Sequence, residues 1–92
     1  MCKTINKPVI DVAATAAKIK ANRISNGYSV REIQAIFGFE YPQAIYNWES
    51  GKDIPSIDNL VVLAAVYGIS VDEIIVTRTV KMEFEVKSKK TA

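Results

Sequence analysis

Gln43 and Asn47 stand four residues apart, about one helical turn, and are the side chains of this sequence best suited to recognition chemistry. In a helix whose inner stripe is Ala44 or Ile45 followed by Trp48, the outward residues are Gln43, Tyr46 and Asn47. A glutamine or asparagine amide offers a donor and an acceptor together, the pattern that pairs bidentately with the N6/N7 edge of adenine in the DNA major groove. Ala44 either offers a methyl contact to thymine or packs under the preceding helix. Tyr46 either lies along a sugar-phosphate backbone or is half-buried against a neighbouring helix. The amides of Ser50, Gly51 and Lys52, with the charge of Lys52, are candidate phosphate clamps, as are Ser29 and Arg31. Catalytic chemistry has little to work with. The chain has no histidine and a single cysteine, Cys2, with no phosphate-cradling glycine loop and no nucleophile beside a base, so no enzyme activity, metal or cofactor is expected.

The elements that must hold these residues are legible between Ser29 and Lys52. Ser29 and Glu32 have capping-box spacing and open a helix in which Ile33, Ile36 and Phe37 share one face. Gly38 suits the left-handed stop of that helix, and Pro42 suits the first turn of the next. Two short helices joined by a tight glycine-containing turn make a helix-turn-helix, in which the second helix enters the major groove.

The run Ser29, Glu32, Ile33, Gly38, Ile45, Trp48, Glu49, Gly51, Lys52, Pro55, Ser56, Leu60, Leu63, Ala64, Gly68, Ser70, Asp72, Glu73 and Ile74 resembles the lambda-repressor-like (Cro/Xre-type) helix-turn-helix family over roughly Ile19 to Val76. The string FGFEYPQAIYNWESG resembles a subgroup found in bacteria of the Firmicutes type. The resemblance implies a mainly α fold, a compact five-helix bundle, that binds double-stranded DNA as a dimer, with Gln43 at the position that most often reads bases. It also implies a buried ion pair between Arg23 and Glu49 that locks the first helix to the recognition helix. The chain departs from the pattern at Val30, where a phosphate-binding glutamine is common. It also has one extra residue in the turn Gly38 to Tyr41, and its third helix lacks Lys and Arg.

With 92 residues the chain has room for one small domain, and 49% hydrophobic with 24% charged residues suits a globular protein. No apolar run approaches a membrane span and no signal-peptide core is visible, so a cytoplasmic protein is expected. The net charge of +2 is segregated: Met1 to Arg31 holds six bases against one acid, Glu32 to Val76 one base against seven acids, and the remainder five bases against two acids. A basic first helix and tail beside an acidic middle give a modest, salt-sensitive grip on phosphates.

Residues 1–10 read as a polar, mobile lead-in and 11–76 as the helix-turn-helix domain. Asp11 caps a first helix running to about Ser25, with Val12, Ala16, Ile19 and Ile24 as its buried stripe. Lys18 and Lys20 on that helix are either a solvated face or phosphate contacts. Ser56 opens a fourth helix that fills the core with Leu60, Val61, Leu63, Ala64 and Tyr67, and a second capping box at Ser70 and Glu73 opens a fifth. In 77–87, Val80, Met82, Phe84 and Val86 alternate with charged residues at the two-residue period of a strand. Such a strand needs a partner, either the segment near Ile5 to Ile10 or its copy in a second chain. Self-pairing centred on Met82 would set Val80 opposite Phe84 and Lys81 opposite Glu83, so a homodimer joined through Val80, Met82, Phe84 and Val86 is expected. Residues 88–92 read as a basic tail. A DNA-binding regulator, a small repressor or Cro-like or antitoxin-like switch, is the leading expectation. The alternative is a protein-interaction module using Val30, Tyr46 and the exposed strand.

Overall fold

The computed structural model describes residues 2–86, so Lys87 and the expected tail at 88–92 lie outside the described residues. In chain order the elements are β1 (Cys2–Ile10), α1 (Val12–Ser25), α2 (Val30–Phe37), α3 (Gln43–Ser50), α4 (Ile57–Tyr67), α5 (Val71–Ile74) and β2 (Thr77–Glu85). Four of the helix starts use the side-chain chemistry that the sequence advertises. Asp11 accepts from the Ala14 amide, Ser56 from the Asn59 amide, and Ser29 and Ser70 form capping boxes with Glu32 and Glu73. Gly38 ends α2 at φ 70°, a left-handed conformation that costs glycine nothing and other residues about 1 kcal/mol or more.

All five helices contribute to one core: Ile19 of α1, Ile33 of α2, Ile45 and Trp48 of α3, Leu60, Leu63, Ala64 and Tyr67 of α4, and Ile74 of α5. Phe37 and Phe39 stack at 5.1 Å and both meet Trp48 edge-on, at 5.3 and 5.8 Å, so the aromatic cluster wedges the turn between α2 and α3 against α3 itself.

Four expected core residues face solvent instead: Val12, Ile24, Ile36 and Val61. On α1 the inner stripe runs through Thr15, Ala16 and Ile19, and Ile24 lies about a third of a turn away from it, whereas Val12 is on the stripe's own side but at the first helical position, where the core no longer covers it. On α4, Leu60, Leu63, Ala64 and Tyr67 fill the inner arc and leave Val61 outside it. Thr15 is buried although polar, because its hydroxyl is doubly paired. It donates to the Val76 carbonyl at 3.3 Å and accepts from the Val76 amide at 3.0 Å, while the Asp11 amide donates to the same carbonyl at 2.8 Å.

Residues 2–10, expected as a mobile lead-in, form strand β1, antiparallel to β2 with Ile5 opposite Met82 and Lys7 opposite Val80. The pairing expected between two copies of β2 is thus replaced, on one edge, by pairing within the chain. The reason is proximity: the Asp11–Val76 bond holds the roots of both strands together, so closure within one chain proceeds at a high effective concentration. Pro8 is tolerated because both strands of a two-stranded sheet are edges. The ribbon stands away from the bundle. The radius of gyration is 17.9 Å, against about 12 Å for a compact domain of this length, and the longest dimension is 55 Å.

Candidate nucleic-acid interface

Helix α3 buries Ile45 and Trp48 and turns Gln43 and Tyr46 outward, with Asn47 half-exposed between them. Its outer face is pre-ordered by a chain of side-chain hydrogen bonds. Gln43 Nε2 donates to Asn47 Oδ1 at 3.0 Å, and Asn47 Nδ2 donates to Asp53 Oδ2 at 3.3 Å. Asn47 thus has its acceptor engaged, whereas Gln43 keeps its carbonyl oxygen and one N–H free to face a base. Asp53 was missed by sequence reasoning, because six residues is no helical neighbour spacing. It reaches Asn47 only because the chain turns back at Gly51, φ 83°.

That same turn corrects one expected role. The amides of Gly51 and Lys52 do not point outward as phosphate clamps. Both donate to the Asn47 carbonyl, Lys52 at 3.0 Å, as do the Asp53 amide and, at 3.3 Å, the Ser50 hydroxyl. All of these groups converge on one of the C-terminal carbonyls that a helix leaves open, that of Asn47. The Lys52 ammonium remains exposed. Ser29 is likewise engaged by its capping box, with its amide donating to Glu32 Oε1 at 2.8 Å and its oxygen accepting from the Glu32 amide at 3.1 Å; only its hydroxyl proton is left to donate. Ala44 is half-buried, with one side against the core.

Charged residues reach the face from two neighbouring helices. Lys20 of α1 lines a shallow groove with Gln43, Tyr46, Asn47, Glu49 and Ser50. Arg31 of α2 lines another with Val30, Gln34 and Tyr46, so Tyr46, half-exposed, stands as the wall between them. Lys18 is not part of this arrangement. It lies on the outer side of α1, along a groove with Ala14 and Ala21. The turn before α3 is tied by Gln34, whose Nε2 donates to the carbonyls of Phe39 and Glu40, both at 3.2 Å.

Arg23 meets Glu49 bidentately, Nε to Oε2 at 2.6 Å and Nη2 to Oε1 at 3.0 Å, and its Nη1 donates to the Tyr28 carbonyl at 3.0 Å. The two side chains are 13% and 7% exposed. The hydrogen bond to Glu49 raises the guanidinium pKa further above its already high value, outweighing the opposing effect of burial. The pair fastens the end of α1 to the end of α3.

Beside it, among the described residues, the Tyr67 hydroxyl is the one buried side-chain polar atom without a hydrogen-bond partner. Burial, and secondarily the Glu49 charge, push its pKa up to about 12. Tyr67→Phe should therefore stabilise the fold by about 1 kcal/mol in urea unfolding at neutral pH. An unfolded tyrosine ionises near pH 10 while the folded one still holds its proton. The wild type should consequently lose stability as pH rises from about 10 to 12, and the phenylalanine variant should lose less over that window.

No group of His, Cys, Asp and Glu among the described residues could hold a metal ion, and no helix there is long and apolar enough to cross a membrane. No match is found among curated proteins. The fold is similar to the DNA-binding domain of BldD from S. venezulae, with 23% identity, a TM-score of 0.60, and coverage of 70% of this chain and 94% of that one. It is also similar to the restriction-modification controller protein C.AhdI from Aeromonas hydrophila, with 20% identity, a TM-score of 0.62, and coverage of 70% and 96%. A Cro/C1-type helix-turn-helix family model matches residues 19–74, from the middle of α1 to the end of α5. With the match spanning more than half of its length, the chain belongs to that helix-turn-helix family.

Proposed function

We propose that this protein is a sequence-specific, double-stranded-DNA-binding transcriptional regulator that works as a homodimer, a small repressor or Cro-like or antitoxin-like switch. The observation that carries this reading is the ordered amide face of α3. Gln43, steadied by Asn47 and Asp53, presents one donor and one acceptor to an approaching base edge. Lys20 and Arg31 flank that face and, with the Ser29 hydroxyl and Lys52, contact phosphates on either side. Tyr46 lies along the backbone between them. Membership of the helix-turn-helix family, and the likeness in fold to the DNA-binding domain of BldD, support the same direction. The string FGFEYPQAIYNWESG supports placing the chain in the Firmicutes-type subgroup.

Selection from randomised duplex DNA at two salt concentrations tests this. The native chain should enrich a two-fold-symmetric site. Gln43→Ala should relax discrimination at one base position per half-site by about 1–3 kcal/mol, roughly 5- to 150-fold, with the salt slope nearly unchanged because no phosphate contact is lost. Absence of any enriched sequence, with the fold intact, would favour a protein-interaction module instead. The exposed apolar side chains of the β-ribbon, Ile5, Met82 and Phe84, are the observation on that side.

A further inference from the structure

Two apolar faces of this chain are left uncovered, and they are complementary in charge. Residues directly opposite in an antiparallel pair share a face, so Ile5, Val9, Val80, Met82 and Phe84 lie on one side of the ribbon. The only charges on that side are cationic: Lys3, Lys7 and Arg78. Ile5 is 44% exposed, Met82 40% and Phe84 38%, and the ribbon projects from the bundle as an arm. The second face is on α4. Ile57, Val61 and Ala65 recur every four residues on its outer side with Val62 beside them, and Ile57 and Val61 are 78% and 54% exposed. The single charge of α4 is Asp58, an anion exposed on the same outer side.

We infer that the arm of each chain docks on α4 of a second copy, and that the exchange is reciprocal about a two-fold axis. Two other ways of covering these faces are poorer. Ribbon packed face to face on ribbon would gather six cations at one interface, and α4 against α4 would leave both ribbons bare. Arm on helix buries both apolar faces at once and brings the cationic face of Lys3, Lys7 and Arg78 to Asp58. The shorter partner sets the contact: α4, eleven residues or about 16 Å long, covers about half of the roughly 30 Å arm, so two contacts about 10 Å wide, counted on both partners, bury about 650 Å2, the scale of a weak, concentration-dependent dimer. The inference deepens the dimeric part of the proposed function and rests on it; the base-reading part is independent.

The test uses the full chain without DNA, so a failure of operator selection leaves it untouched. Light scattering on a concentration series should carry the native chain's mass from 10.2 kDa towards twice that value. Met82→Glu on the arm and Val61→Glu on α4 each place a charge in both contacts, and each should weaken the dimer by at least about tenfold. Both positions are exposed, so helical circular dichroism should be unchanged. Mixing the two variants is the decisive measurement. One of the two contacts in the mixed dimer, between the Val61→Glu chain's arm and the Met82→Glu chain's α4, is wholly native, so heterodimer should form where neither variant self-associates. A monomeric native chain overturns the inference. So does a dimer broken by only one of the two substitutions, and so do two monomeric variants that fail to rescue each other.

Discussion

Trp48→Ala is expected to destabilise the domain by about 3–5 kcal/mol, which for a fold of this size consumes most of the total stability. Trp48 is 5% exposed and is the edge partner of both Phe37 and Phe39, so truncation removes the inner wall of the recognition helix and opens a cavity under the turn that sets its angle. Because Trp48 is the only tryptophan, the variant must be followed by circular dichroism in urea. Trp48→Phe keeps the apolar contact and should cost far less. A loss under about 1 kcal/mol for the alanine variant would show that the aromatic cluster does not support α3.

Arg23→Met should be nearly as severe, about 3 kcal/mol, because it leaves the 7%-exposed Glu49 carboxylate without its cation and the Tyr28 carbonyl without its donor. The double variant Arg23→Met/Glu49→Leu should recover a large part of that loss, since two apolar side chains of similar volume need no partner. Operator selection separates stability from geometry. If the pair holds α3 at its working angle against α1, the double variant will fold and still bind DNA, but with weakened discrimination at the bases next to Gln43. Unchanged selectivity in the double variant would reduce the ion pair to a structural fastener.

These two expectations draw on opposite kinds of information. The aromatic wedge was half legible: the spacing of Ile45 and Trp48 places both on the inner face of α3, yet nothing in the chain says that Phe37 and Phe39 stack on each other before meeting the indole. The Arg23–Glu49 bridge joins residues 26 positions apart and came from the likeness of the whole pattern to a family, not from periodicity. Asp53 lies equally beyond the reach of periodicity. Its carboxylate completes the amide chain on α3 only because a left-handed glycine folds the loop back.

By itself the sequence determined the helices, their caps and stops, and which side chains of α3 look outward. Those features depend on near neighbours: a capping box closes over three residues, a glycine stop acts in place, and an amphipathic stripe repeats every turn. Only the tertiary structure decided where the strand at Thr77–Glu85 goes. Its alternation declared an apolar face without naming a partner, and residues 2–10 hide their own strand character because Lys3 and Lys7 share a face with Ile5 and Val9. What chose the pairing is a pair of contacts more than 60 residues long in sequence, Thr15 and Asp11 holding Val76, which brings both strands to one place. Local propensity cannot encode a contact of that span. It exists where the bundle brings the start of α1 and the end of α5 together, and the ribbon extends from that point.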